Sequence, residues 1–284
     1  MCLVWQVKRG DPLIQSRRLE APGSLPGWAS SRPPGLRAGL RLFCFPYAGG
    51  SARIYGDWGG WLRPEIDVVP VDLPGRGDRA GERPIERFAA LIDWLVPTVE
   101  PFLDRPFALF GHGAGGLVAY ELCRRLGARG LPTPERLLVS AIRPPHDLGR
   151  SAAVPPRTEL LHAVRNLRRN ASPTRCDDGF SFPILRADWN LIASYRFEPA
   201  VPLDLPITVF GGVADELAKP RDLEAWRHYT LRRCSLHLLP GDHLFIHGHE
   251  RLLATGVSRT LAMRAAADAG IWPAADNLRR TSPP

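Results

Sequence analysis

Short apolar runs alternate along the chain with stretches in which apolar residues recur every three or four positions. The runs Leu40 to Phe45, Ile66 to Val71, Phe107 to Phe110, Leu137 to Ser140, Ile207 to Phe210 and Leu236 to Leu239 read as buried strands. Ile85 to Leu103 has helical spacing, and Pro97 is expected to kink it or end a turn. Leu117, Tyr120, Leu122 and Leu126 mark a second helix, and Glu250 to Ala267 a third. Strands alternating with helices predict an α/β fold, a mostly parallel sheet with helices on both faces. Functional groups in such sheets gather at the carboxyl ends of the strands.

The alternation fails in three places. Residues 1–39 are rich in Pro, Gly, Arg and Ser, as in Ser30-Ser-Arg-Pro-Pro-Gly35, and read as a loosely ordered arm. The regular domain is expected over 40–268. Within it, residues 145–199 interrupt the pattern. Pro144-Pro145 and Pro155-Pro156 bracket a loop, and Thr158 to Leu167 and Ile184 to Tyr195 have helical character. A helical insertion there reads as a lid over the carboxyl edge, the alternative being a surface excursion without function. Residues 269–284 read as a flexible tail.

Composition narrows the class. The chain has 284 residues, 44% hydrophobic and 23% charged, which suits one large domain with an ample core. No apolar run approaches the roughly 20 residues of a membrane span. Residues 1–10 lack the order of charge, long apolar stretch and cleavage site of a signal peptide. The five cysteines, Cys2, Cys44, Cys123, Cys176 and Cys234, are odd in number and scattered, as expected of free thiols in a reducing cytoplasm. The net charge is +8, from 37 basic and 29 acidic residues, and only Lys8 and Lys219 are lysine. No nucleic-acid motif accompanies that charge, but it would steer an acidic protein partner.

The chemistry concentrates after the third strand. Phe107-Ala-Leu-Phe-Gly-His-Gly-Ala-Gly-Gly116 runs from an apolar strand through a glycine-crowded turn into a helix, the setting of a Gly-x-Ser-x-Gly nucleophile elbow. The central residue is Gly113, so the nucleophile is missing. A phosphate loop is the alternative, but the third glycine is out of register for the dinucleotide fingerprint. No acidic residue ends a second strand about 20 residues on. Later, Gly211-Gly-Val-Ala-Asp215 and Pro240-Gly-Asp-His243 each follow a strand. Either would be an ordinary turn alone. In the order elbow, Asp, His they form an α/β-hydrolase arrangement, the carboxylate orienting the imidazole and the imidazole moving the proton. His243, His247 and His249 lack a carboxylate-His metal pattern. No metal and no cofactor is expected.

Several segments together resemble the type II thioesterases, the stand-alone editing enzymes of polyketide and nonribosomal peptide synthesis. They are Phe43-Cys-Phe-Pro-Tyr-Ala-Gly-Gly-Ser51 with Trp58, Leu73-Pro-Gly-Arg76 with Arg79, Arg105-Pro-Phe-Ala-Leu-Phe-Gly-His112, Ser140 with Arg143, and Gly241-Asp-His243. The resemblance runs from about Arg41 to Ala262. It implies an α/β-hydrolase fold and hydrolysis of acyl groups from the phosphopantetheine arm of an acyl or peptidyl carrier protein. Carrier proteins are acidic, in keeping with the chain's charge. A monomer is expected, with no nucleic-acid or membrane partner. By position the resemblance makes Asp215 the orienting acid and His243 the base, with oxyanion donors at the backbone of Ala114 and of Tyr47 or Ala48. The serine position falls on Gly113. Ser51, Ser140, Cys44 and Cys123 are no obvious substitutes. Loss of a triad serine costs on the order of a millionfold in kcat. Three readings follow: slow hydrolysis with water in the hydroxyl's place, non-hydrolytic proton transfer such as epimerisation, cyclisation or elimination by His243 and Asp215, or a carrier-binding module without catalysis.

Overall fold

The computed structural model of the chain describes residues 39–148 and 182–262. The expected arm up to residue 38, the helix expected at Thr158 to Leu167 and the expected tail lie outside the described residues.

Six strands form one sheet: β1 (Leu40–Phe45), β2 (Ile66–Pro70), β3 (Phe107–His112), β4 (Arg136–Ser140), β5 (Ile207–Gly212) and β6 (Cys234–Leu239). Their order is β2-β1-β3-β4-β5-β6, and every pairing is parallel. The longer helices are α1 (Phe88–Val99), α2 (Ala114–Ala128), α3 (Phe182–Ala193) and α4 (Glu250–Ala262). The fold is thus of the α/β class read from the sequence.

A parallel sheet covered on both faces needs apolar side chains on both, so its strands read as unbroken apolar runs. In β1, Phe43 and Phe45 pack with Leu95 of α1 and Leu117 of α2. The intervening Leu42 and Cys44 pack on the other face with Trp58, Phe110 and Val257 of α4. Each fully buried side chain of this size contributes about 1.5–3 kcal/mol. Helix α1 runs through Pro97 and ends two residues later. In the last turn proline forfeits one backbone bond, and Leu95, Val96 and Val99 stay buried around it.

The strand order also fixes where a site can form. β2 lies on one side of β1 and β3 on the other, so the order reverses between β1 and β3. The loops leaving their carboxyl ends part there and leave a crevice. Helix α3 lies beside it. Its Leu185 packs with Ala48 after β1, while Leu191 joins the cluster that holds Phe88 of α1. Ser194, just past α3, accepts the Phe88 N–H through Oγ at 2.8 Å.

Candidate active site

The turn from β3 into α2 is close-packed. A Cβ on Gly111 would come within 2.0 Å of the Gly115 carbonyl oxygen, so no larger residue fits there. Gly113 sits at the apex with φ 53° and ψ −126°, a combination that side-chain-bearing residues adopt only under strain. Its N–H donates to the Ser140 carbonyl at 2.8 Å and its carbonyl accepts from Gly116 at 2.9 Å. Ala114 then opens α2 at the helix's N-terminal, partly positive end. This backbone is shaped as a nucleophile elbow.

The loops after β5 and β6 bring Asp215 and His243 together. His243 Nδ1 lies 2.9 Å from Asp215 Oδ2. A carboxylate only accepts, so Nδ1 carries a proton, and when the ring is neutral Nε2 is the nitrogen that presents a lone pair. That Nε2 faces the elbow: it lies 3.9 Å from where a Cβ on Gly113 would stand. The Asp215 side chain is fully buried, whereas that of His243 is 29% exposed, so the base is reachable and the acid shielded. The other carboxylate oxygen accepts the N–H groups of Leu217 at 2.8 Å and Ala218 at 2.9 Å. Burial alone would raise the Asp215 carboxyl. The hydrogen bond from His243, its charge and the two backbone N–H groups outweigh that and hold it below the usual carboxylate range.

Tyr47 borders the same space. A Cβ on Gly113 would be 3.3 Å from Tyr47 Cβ and 3.8 Å from its Cα, which puts the start of the loop after β1 against the elbow. The Tyr47 hydroxyl lies 2.8 Å from His247 Nε2. His243 is thus held by Asp215, and His247 by Tyr47.

His112, the last residue of β3, is a participant that reading the sequence did not single out. It is fully buried between Ser140 Oγ, 2.9 Å from Nδ1, and the His243 carbonyl, 2.9 Å from Nε2. Burial, helped by the neighbouring His243, lowers its pKa to about 3, so the ring is neutral. Since the carbonyl can only accept, Nε2 carries the proton and Nδ1 accepts from the Ser140 hydroxyl. His112 therefore fixes the backbone of His243 and commits the proton of Ser140.

The "Thioesterase domain" family model matches residues 40–262, the whole described fold. The chain belongs to the thioesterase family. It is 33% identical to the gramicidin S biosynthesis protein GrsT of Aneurinibacillus migulanus, over 74% of this chain and 84% of that protein. Among solved structures it is similar to RedJ, a thioesterase of the prodiginine pathway of Streptomyces coelicolor. RedJ is 37% identical with a TM-score of 0.69, and the match covers 81% of this chain and 96% of RedJ. The type II thioesterase BorB of the borrelidin cluster is 32% identical with a TM-score of 0.72, covering 81% and 95%.

In this thioesterase-family chain the elbow, Asp215, His243, Ala114 and Tyr47 converge on one space, and Ala48 follows in the loop. Among the described residues, none of the serines and cysteines weighed for the role takes the place of the missing serine. Burial pushes the Cys44 thiol far above its ordinary value and that of Cys123 up to about 12. Ser140 is bound to His112, and Ser51 is fully buried. A lone histidine ending an otherwise apolar buried strand was the available sign of His112, because a buried imidazole needs two polar partners.

Proposed function

We propose that the chain is a type II thioesterase that acts on acyl groups carried as thioesters on an acyl or peptidyl carrier protein, in polyketide or nonribosomal peptide synthesis. The carrying observation is the aim of His243 Nε2 at Gly113, with Asp215 on Nδ1. Water takes the role of the missing hydroxyl. His243 takes a proton from it as the oxygen attacks the thioester carbonyl. The N–H of Ala114 and that of Tyr47 or Ala48 receive the developing negative oxygen. Breakdown expels the pantetheine sulfur, which takes the proton back from His243, and the acyl group leaves as the acid. No acyl-enzyme forms and turnover is slow. The substrate arrives on its own phosphopantetheine, so no further cofactor is needed. We place this chemistry in the cytoplasm, on a monomer, with α3 beside the crevice as the described part of a lid.

Gly113 favours a second reading on the same scaffold. A dyad without a nucleophile can move a proton on the bound thioester, in an epimerisation, cyclisation or elimination, without releasing the acyl group. One experiment separates the two. The chain is incubated with an acyl-loaded carrier protein, and the carrier's mass and the free acid are followed. Acid release that falls at least tenfold in His243→Ala supports the hydrolase. His243-dependent change of the acyl group while it stays on the carrier supports the second reading. Neither in the parent chain leaves a carrier-binding module.

A further inference from the structure

Among the described residues, Arg41 and Asp67 form a buried ion pair between the adjacent strands β1 and β2. A second pair, Arg76 and Asp188, lies at the carboxyl edge, with both side chains under 5% exposed. Arg76 Nη2 donates to Asp188 Oδ1 at 2.6 Å and Nη1 to Oδ2 at 2.8 Å, a two-pronged fit. Each partner also holds one peptide group of the loop after β1. Asp188 Oδ2 accepts the Gly49 N–H at 2.7 Å, and Arg76 Nη1 donates to the Gly50 carbonyl at 3.2 Å. The same loop is pinned once more at Ala52, whose N–H reaches Asp72 Oδ1 at 2.7 Å.

Burying such a pair brings little net stability, because desolvation consumes the attraction, and an apolar replacement of similar volume is often neutral. What apolar side chains would not supply is the grip on Gly49 and Gly50. These residues directly follow Tyr47 and Ala48, and the Gly50 N–H closes the turn onto the Tyr47 carbonyl at 2.9 Å. We infer that Arg76 and Asp188 are positioning residues that set the backbone of residues 47–50, and thereby the aim of the oxyanion N–H groups at the elbow. Asp188 belongs to α3 and Arg76 to the loop after β2, so the aim of those groups depends on where α3 is seated. The inference rests on the thioesterase reading for the role of those N–H groups, but not for the grip itself.

The test is a paired replacement, Arg76→Met with Asp188→Leu, which removes both charges and leaves neither buried alone. Amide hydrogen exchange is measured in the chain as it stands. Exchange at residues 47–50 should quicken at least tenfold while the strand amides and the melting temperature hold. Unchanged exchange at Gly49 overturns the grip. The same pair is then placed in a Gly113→Ser background and assayed on an acyl thioester. Misaiming one oxyanion donor costs up to 10²–10³ in kcat. The expected result is a kcat lower by tenfold or more with KM within about threefold. A kcat that holds while exchange quickens overturns the positioning role. Asp188→Asn, similar in shape with one carboxylate oxygen replaced, should give an intermediate loss of kcat, and serves where the double variant does not fold. An inactive Gly113→Ser parent is a failure of the thioesterase reading instead, and the grip is then judged on exchange alone.

Discussion

Gly113 holds the backbone that a nucleophile would need, and holds it without the strain a nucleophile would bring. A side chain at φ 53° and ψ −126° costs on the order of 1–3 kcal/mol. Gly113→Ser should therefore fold and melt several degrees lower, at about 2–4 °C per kcal/mol for a domain of this size. His112 ties stability to pH at the same site. Its ring stays neutral down to about 3 in the fold, against 6.5 ordinarily. Between those values the unfolded chain binds the extra proton, so stability falls as pH drops through that window. Asp215, held below 3.8, adds a further loss at the acid end. From about pH 7 to about pH 4.5 the His112 share is roughly 2–3 kcal/mol. Urea unfolding of His112→Asn should lose that share of the slope. An unchanged slope would mean that His112 titrates as a free histidine does.

At the scale of elements, α3 carries both packing and polarity on one face. Ile184, Leu185, Ala187, Asp188 and Leu191 are its buried residues, so a carboxylate lies on the apolar stripe. Leu191→Ala should cost about 2–5 kcal/mol, read as a lowered denaturation midpoint with the unfolding slope unchanged. A loss under about 1 kcal/mol would show that α3 is not bound into the core. All six strands were legible because burial on both faces makes them apolar runs. β3 and β5 run two residues past their apolar stretches into His112 and Gly212, β4 starts one residue earlier at Arg136, and β6 starts two residues earlier at Cys234, because Cys234-Ser-Leu-His is partly exposed on an edge strand and its apolar run breaks. Asp215 and His243 were legible because each closes a turn directly after a strand. The grip of Arg76 on Asp188 was not, since it joins residues 112 positions apart, across a segment whose course no local pattern dictates. Asp188 on an apolar stripe was the one sign of it.

The whole molecule carries a net +8, and all but two of its 37 basic residues are arginine. No helix among the described residues is long and apolar enough to cross a membrane. A partner of opposite charge would be drawn in by the long-range field, which salt screens beyond about 10 Å at 0.1 M. Stopped-flow association with an acidic carrier protein should slow by on the order of tenfold from about 50 to about 500 mM salt, with dissociation little changed. An on-rate indifferent to salt would leave the basic surface without a part in docking.

Asp215 and His243 are still aimed as a base at the elbow position. The most direct measurement is steady-state hydrolysis of a simple acyl thioester by Gly113→Ser, alone and combined with His243→Ala. A Cβ at this position would stand 3.9 Å from His243 Nε2, which leaves a serine hydroxyl within hydrogen-bond reach. Gly113→Ser should raise kcat by at least 10²-fold and form an acyl-enzyme that mass spectrometry detects, and His243→Ala should abolish both. A folded Gly113→Ser protein with no gain in hydrolysis would contradict that aim, as would a gain that survives His243→Ala.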